Sequence, residues 1–417
     1  MEKIIFNLIV IIILFDFLFE RLLDYLYLKN WSPELPQEAQ GIFDEDKYKK
    51  SQEYYKVNNN FSTVVSVFSL IVMLLMLFLN GFAFVDSFVR SYTNNSIFMA
   101  LLFFGILGLA SDIIGIPFSL YKTFIIEEKF GFNKITLKTF LLDKIKGYLL
   151  AAIIGGGLIS LIVWIYQSTG NLFWLYAWAA VSIFMLFATM FYASIILPLF
   201  NKLKPLEPGE LRTAIEYYCS KVNFKLNNIF VMDGSKRSSK ANAFFSGLGA
   251  RKRIVLFDTL IEKHTTEELV AILAHEVGHY KKKHTQFGLI LGVLQTGAML
   301  FIMSLMISNP SLSKAIGVQQ PSFHIGILAF SLLYSPLSEL LGIIMNVFSR
   351  KHEFEADYFA ATTYASEPLQ TGLKKLSVDN LSNLKPHPAY VFVHCSHPPL
   401  LERLAALKLT KIKTTIN

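Results

Sequence analysis

Cysteine and charge are both scarce in this chain. Only Cys219 and Cys395 occur in 417 residues, and they form no C-x-x-C pair. That excludes a disulfide framework and a cysteine-bound zinc knuckle. Both lie in segments expected in the cytosol, where thiols stay reduced. Charged residues make up 17% of the chain against 53% hydrophobic, and there are 37 Phe. This balance suits a membrane protein rather than a soluble domain. The net charge is +8, but apolar blocks interrupt the basic residues, so a positive-inside bias is expected and no nucleic-acid partner. No small-residue cleavage site follows the apolar run from Ile4 to Phe19. Asp16, Glu20 and Arg21 stand there instead, so the run reads as an uncleaved first span.

Seven apolar stretches approach the length that crosses a hydrocarbon layer of ~30 Å. They cover about 4–24, 61–85, 97–120, 148–167, 172–198, 285–308 and 323–348. Asp16 and Asp24 interrupt the first, Asp112 the third and Glu339 the seventh, where Pro336 should also kink the helix. The loops alternate. Those after spans one and three are rich in lysine, the loop after span two carries only Arg90, and the loop after span four carries no basic residue. The segment after span five is basic again, the next loop has Lys314 alone, and the tail is basic. Seven spans with the N-terminus lumenal and the tail cytosolic predict this alternation. Four regions follow: 1–198 with five spans, a polar segment 199–284, two more spans in 285–348, and a polar C-terminal segment 349–417.

Within 199–284, Pro208-Gly209-Glu210 opens a short helix through Ser220. Ile229–Met232, Ala243–Phe245 and Ile254–Phe257 read as strands. Thr265 and Glu268 have the spacing of a capping box, and the helix that follows contains His275-Glu276-Val277-Gly278-His279. Histidines four apart project from one helix face and can grip a single ion, with Glu276 on the neighbouring edge. Two imidazoles and one carboxylate suit zinc with a fourth position open, one ion per chain. A zinc ion lowers the pKa of its water to ~7 and polarises a scissile carbonyl. Glu276 is the residue placed to take that water's proton and pass it to the leaving amine. His264 and His284 flank the helix and read as solvated.

The third ligand is expected past the seventh span, in Ser349-Arg350-Lys351-His352-Glu353-Phe354-Glu355-Ala356-Asp357. Glu353 and Asp357 share a helix face. Glu353 suits the ligand role, and Asp357 can orient His275 or His279 from behind. Glu355 reads as a solvated charge, and His352 is a rival ligand pointing elsewhere. Near the C-terminus, Pro398-Pro399 opens a helix after His397. His397 and Arg403 could donate to the oxyanion of a tetrahedral intermediate, although spacing alone makes them an ordinary helix start and a surface arginine.

Taken together, these residues resemble the type I CAAX prenyl endopeptidases. The resemblance rests on the seven spans, the H-E-x-x-H pentad, Ser349-Arg350 with Glu353 and Asp357, and His397-Pro398-Pro399 with Arg403. It extends to Lys50-Ser51-Gln52 with Tyr54, Ile126-Glu127-Glu128-Lys129 with Gly131-Phe132-Asn133, and Ser235–Ser239 leading to Asn242-Ala243-Phe244-Phe245.

The resemblance implies a mostly α, polytopic membrane protein. Seven transmembrane helices would form a barrel around a water-filled chamber, with a small α+β gluzincin-like zinc peptidase domain on the cytosolic side. It implies cleavage of farnesylated or otherwise prenylated CAAX proteins with loss of the last three residues, some members cutting again nearer the N-terminus. His275, His279 and Glu353 match the zinc ligands, Glu276 the base, Asp357 the acid behind the ligands, and His397 and Arg403 further active-site residues. Asn242-Ala243-Phe244 is similar to the edge strand that thermolysin-like peptidases lay along substrate. Ser246-Gly247 follows it where other members often carry a larger residue. Placement in the endoplasmic reticulum or inner nuclear membrane rests on the resemblance alone, since the tail Lys411–Asn417 is not a clean di-lysine signal.

Two other readings compete. A membrane quality-control zinc protease would share the pentad and a distal glutamate, with fewer spans. A seven-span receptor or transporter is invited by Asp112 and Glu339, since charges inside a bilayer often mark conduction paths.

Overall fold

The structure is a computed structural model. It describes residues 1–30, 34, 35, 37, 40, 41, 43–225, 229–248 and 252–416. Side chains from 411 onward, and with them the tail, lie outside the described residues.

The N-terminal half is helical: α1 (Glu2–Lys29), α2 (Glu45–Phe78), α3 (Gly81–Tyr92), α4 (Ser96–Tyr121), α5 (Leu137–Leu150), α6 (Gly156–Thr169), α7 (Phe173–Phe191) and the short α8 (Leu197–Phe200). The second apolar stretch does not run on to residue 85. Asn80 adopts a left-handed φ of 54°, which ends α2 and starts α3 as a separate helix. Among the described residues, five helical stretches are long and apolar enough to cross a membrane: Glu45–Phe78, Ser96–Glu127, Leu137–Phe200, His284–Met306 and Phe323–Asp379. The third contains a break. Gly170 has φ 54° and ψ −124°, and α6 and α7 pack against each other on either side of it. A glycine carries that dihedral without a Cβ penalty. Asp112 on α4 is paired with Lys144 and Tyr148 of α5.

A four-stranded sheet has the order β1-β2-β4-β3: β1 (Leu203–Pro205), β2 (Ile229–Met232), β3 (Ala243–Ser246) and β4 (Arg253–Phe257). The β2–β4 pair is parallel and the others antiparallel, with Ala243 opposite Leu256. The three expected strands are present. The added strand β1 is three residues ending in proline, too short to show a period. Among the described residues β3 pairs with β4 alone and so forms an edge of the sheet.

The sheet is flanked by α9 (Glu210–Lys221), α10 (Asp258–Ile261) and α11 (Thr266–Lys281). Helix α11 starts as expected. The Thr265 hydroxyl accepts from the Glu268 amide, and Glu268 accepts from the Thr265 amide at 3.0 Å. Every residue from Glu268 to His275 is buried, so α11 is the central helix of this half. Ile254 and Leu256 of the sheet pack on it, with Leu369 and Leu407 from the C-terminal helices.

The chain continues as α12 (His284–Met306), α13 (Pro310–Ala315), α14 (Phe323–Ala360), α15 (Ser366–Asp379), α16 (Pro388–His394) and α17 (Leu400–Ile416). One helix runs through residue 348. Helix α14 is 38 residues long with Pro336 in its interior, about 57 Å of continuous rod. It lies along α11, and the closest approach is at Gly278. A Cβ there would stand 3.1 Å from Ala356 Cα and 3.2 Å from its carbonyl oxygen. Those are backbone atoms that cannot rotate away. Gly278→Ala would gain about 1 kcal/mol of helix propensity but incur an overpacking cost of about 1–3 kcal/mol. The crowding should win, lowering the melting temperature of the metal-loaded protein. An unchanged or raised melting temperature would show that the two helices separate freely here.

Candidate metal centre

Helix α11 supplies His275, Glu276 and His279, and α14 supplies Glu353 and Asp357 one turn apart. Because the two helices run side by side, residues 74 positions distant meet. His275 Nε2 lies 3.1 Å from His279 Nε2. Glu353 Oε1 is 3.2 Å from His279 Nε2, and Oε2 is 3.5 Å from His275 Nε2. One ligand atom from each of the three falls within 4.8 Å of the others. Two nitrogens bound to one tetrahedral zinc at about 2.0–2.1 Å each would stand roughly 3.3–3.4 Å apart. The Glu353 Oε2 atom is buried and makes no hydrogen bond. Arg403 Nη1 is its ion-pair neighbour at 3.2 Å, and a carboxylate so placed, with one oxygen toward each of two imidazole nitrogens 3.1 Å apart, fits a divalent cation.

Behind the ligands, His275 Nδ1 donates to Asp357 Oδ1 at 2.9 Å. Of the two histidines that Asp357 could have oriented, it takes His275. Asp357 in turn receives two hydrogen bonds from Arg403, Nε to Oδ2 at 2.7 Å and Nη2 to Oδ1 at 2.6 Å. Arg403 Nη1 is 3.2 Å from Glu353 Oε2. Arg403 is buried. Burial disfavours its charge, but Asp357 and Glu353 outweigh that and raise its pKa. Its guanidinium is therefore engaged on the carboxylates beneath the site, and its burial departs from the reading of a surface arginine. Burial pushes the His275 imidazole down, and the hydrogen bonds to Asp357 and Glu353 overcome it, holding the ring above its ordinary value.

Glu276 lines a cavity of about 490 Å³ together with His279, Glu353, His397 and the segment Asn242–Phe245. Burial raises the Glu276 carboxyl above the ordinary carboxylate range, against the pull of His275 and His279. A carboxylate beside the ligand group with a raised affinity for a proton is suited to general-base catalysis. His397 is two-thirds exposed, with Nε2 3.4 Å from Glu353 Oε1 and Nδ1 bonded to Ser396. Asn242 precedes edge strand β3, and its Oδ1 accepts from the Ala243 amide, which leaves the side-chain NH₂ to donate.

The expectation that both histidines flanking α11 are solvated is corrected. His264 is not solvated: it is buried, with Nδ1 3.0 Å from the Leu260 carbonyl oxygen. His284 is buried as well, against His279, His352 and Glu355. Three lysines before His284 suggested a wet surface. In fact Lys283 turns the chain through a left-handed φ of 61° and sends His284 inward as the first residue of α12. His352 stacks on His284 and stands outside the three-ligand group.

Comparison with known proteins agrees with this geometry. Residues 24–202 match the family described as CAAX prenyl protease N-terminal, five membrane helices, and residues 205–411 match peptidase family M48. The chain is similar to the probable CAAX prenyl protease 1 of Schizosaccharomyces pombe, 39% identical over 89% of this chain and 81% of that protein. It is 34% identical to CAAX prenyl protease 1 of Saccharomyces cerevisiae, over 94% of this chain and 92% of that one. The crystal structure of S. mikatae Ste24p superposes with a TM-score of 0.92 at 33% identity, covering 97% of this chain and 99% of that chain.

Proposed function

The chain belongs to the CAAX prenyl protease family within peptidase family M48, and from that premise we propose that it is a zinc endopeptidase acting on isoprenylated proteins at a C-terminal CAAX motif. The observation that carries this is the convergence of His275, His279 and Glu353, the last two of which line a cavity that Glu276 also lines.

His275, His279 and Glu353 would hold one zinc ion per chain. When bound, that ion polarises the scissile carbonyl and makes a water acidic enough to lose its proton near neutral pH. Glu276 accepts the proton on its carboxylate and delivers it to the departing peptide nitrogen. The substrate backbone adds to the free edge of β3, with Asn242 donating to a peptide carbonyl and Ala243 and Phe244 lining the groove. His397 stands across the cavity, with its Nε2 near enough to donate to the developing oxyanion. Arg403 acts from behind: by holding Asp357 it fixes the His275 ring, and it offsets the negative charge that Glu353 and Asp357 bring together.

The proposed architecture has seven spans around a water-filled chamber. Gly170 supports this count by dividing Leu137–Phe200 into two spans, since 64 residues would make a rod of about 96 Å against a ~30 Å hydrocarbon layer. Helix α1 supplies another, and the alternation of basic loops supports a lumenal N-terminus and a cytosolic site. The four regions 1–198, 199–284, 285–348 and 349–417 then alternate between bilayer and cytosol. The membrane proposed is the endoplasmic reticulum, extending to the inner nuclear membrane. The cut removes the last three residues, and a second, upstream cut is open to the same site.

The test is a farnesylated CAAX peptide against its unprenylated twin, incubated with the purified full-length protein with and without a chelator, and product masses read out. The farnesylated peptide should lose three residues, and chelation should stop the reaction. Equal cutting of both peptides would favour a quality-control protease, and cutting that resists chelation would remove the metal from the proposal.

A further inference from the structure

The two histidines of the site are supported differently. His275 reaches a carboxylate directly, through Asp357. Among the described residues, His279 has no carboxylate hydrogen-bonded to its Nδ1. Its Nε2 faces the ligand group, and its Nδ1 lies 3.0 Å from Nδ1 of His284. The opposite nitrogen of His284, Nε2, lies 3.1 Å from Glu355 Oε2. The His284 side chain is 7% exposed. Its ring stacks on His352, with centroids 3.9 Å apart and planes at 9°.

We propose that His284 and Glu355 are positioning residues that form a two-link relay behind His279, fixing the tautomer and ring orientation with which His279 binds metal. This rests on the metal reading given above. The chain of donors allows one consistent arrangement. Glu355, as a carboxylate, accepts a hydrogen bond, so His284 carries its proton on Nε2. His284 Nδ1 is then a lone pair and accepts from His279, whose proton must sit on Nδ1. That leaves the His279 Nε2 lone pair free, aimed at His275 and Glu353. A metal-ligating histidine almost always donates its other N–H to a partner, and losing such a partner typically costs 10- to 100-fold in metal affinity. Here a second imidazole stands between ligand and carboxylate. Stacking on His352 holds that imidazole in plane, so the relay is geometrically fixed before any metal arrives.

The experiment measures zinc affinity of the full-length detergent-solubilised protein by competition with a chelator, alongside the melting temperature of the metal-free form. His284→Phe keeps an aromatic ring to stack on His352 but cannot accept a hydrogen bond from His279. His284→Gln offers a carbonyl oxygen that can. The Phe variant should bind zinc about 10- to 100-fold more weakly, and the Gln variant should recover most of that loss. Glu355→Ala should weaken binding several-fold in the wild-type background and add nothing to His284→Phe. Wild-type affinity in the Phe variant, equal loss in Phe and Gln, or additive effects in the double variant would each overturn the relay. If the Phe variant does not fold, Gln and Glu355→Ala decide: an unchanged affinity in Glu355→Ala rejects the proposal. A wild-type protein that binds no zinc would instead defeat the metal reading itself.

Discussion

Glu276→Gln is expected to abolish peptide hydrolysis while the protein keeps its full complement of metal. Glu276 stands outside the group His275, His279 and Glu353, so removing its charge takes nothing from the ligand set. It lines the same cavity as His279 and Glu353 and is lifted above the ordinary carboxylate range by burial. The amide has the same shape but cannot take up a proton, so the exchange isolates one chemical step. General-base catalysis contributes typically 10²- to 10⁴-fold, and a loss in that range is expected in turnover of a farnesylated peptide. Metal per chain, measured on the same preparation by mass spectrometry, should match the wild type. Turnover that survives with metal in place would refute the assignment. A loss of metal would mean that Glu276 acts as a ligand instead.

The second large effect concerns the metal itself. Glu353→Ala should strip the purified protein of zinc and of all activity, whereas Glu355→Ala, two residues away, should still load fully when zinc is in excess. Glu353 approaches both imidazole nitrogens and also Arg403 and His397. Its removal deletes one of three protein ligands and leaves Arg403 with Asp357 as its remaining close carboxylate partner. The affinity loss should exceed the ~100-fold upper range seen for residues that act behind a ligand. Equilibrium dialysis of the two variants at matched free zinc separates them, and retention of zinc by Glu353→Ala would move the third ligand elsewhere.

What could be read in advance was whatever the chain writes locally. The capping box of Thr265 and Glu268, the four-residue spacing of His275 and His279, and the matching spacing of Glu353 and Asp357 all lie within single helices, where periodicity fixes direction. The strand at Ala243 was visible in its apolar run. Contacts across the fold were not visible. Nothing near Arg403 in sequence says that it meets Asp357, 46 residues away, so spacing alone made it a surface residue and only the family resemblance marked it as part of the site. His284 was misjudged because the left-handed turn at Lys283 resets the helical phase. Its five-residue spacing from His279 therefore belongs to no single face, and its partner Glu355 comes from another helix. The end of α2 at Asn80 was missed for a similar reason: apolar residues continue on both sides of the break, and hydropathy alone does not register a left-handed residue.

The length of α14 bears on how this enzyme can be handled. The helix that carries Glu353 and Asp357 begins at Phe323 and has no interruption before Ala360. Trimming the chain at 349 to obtain a soluble catalytic fragment would sever that rod in mid-course. The new end would expose unpaired backbone N–H groups within one turn of Glu353, and the fragment would lose the apolar anchor that sets the height of the carboxylate opposite the histidines. Water-soluble versions of this protease are therefore better sought by coating the spans than by deleting them.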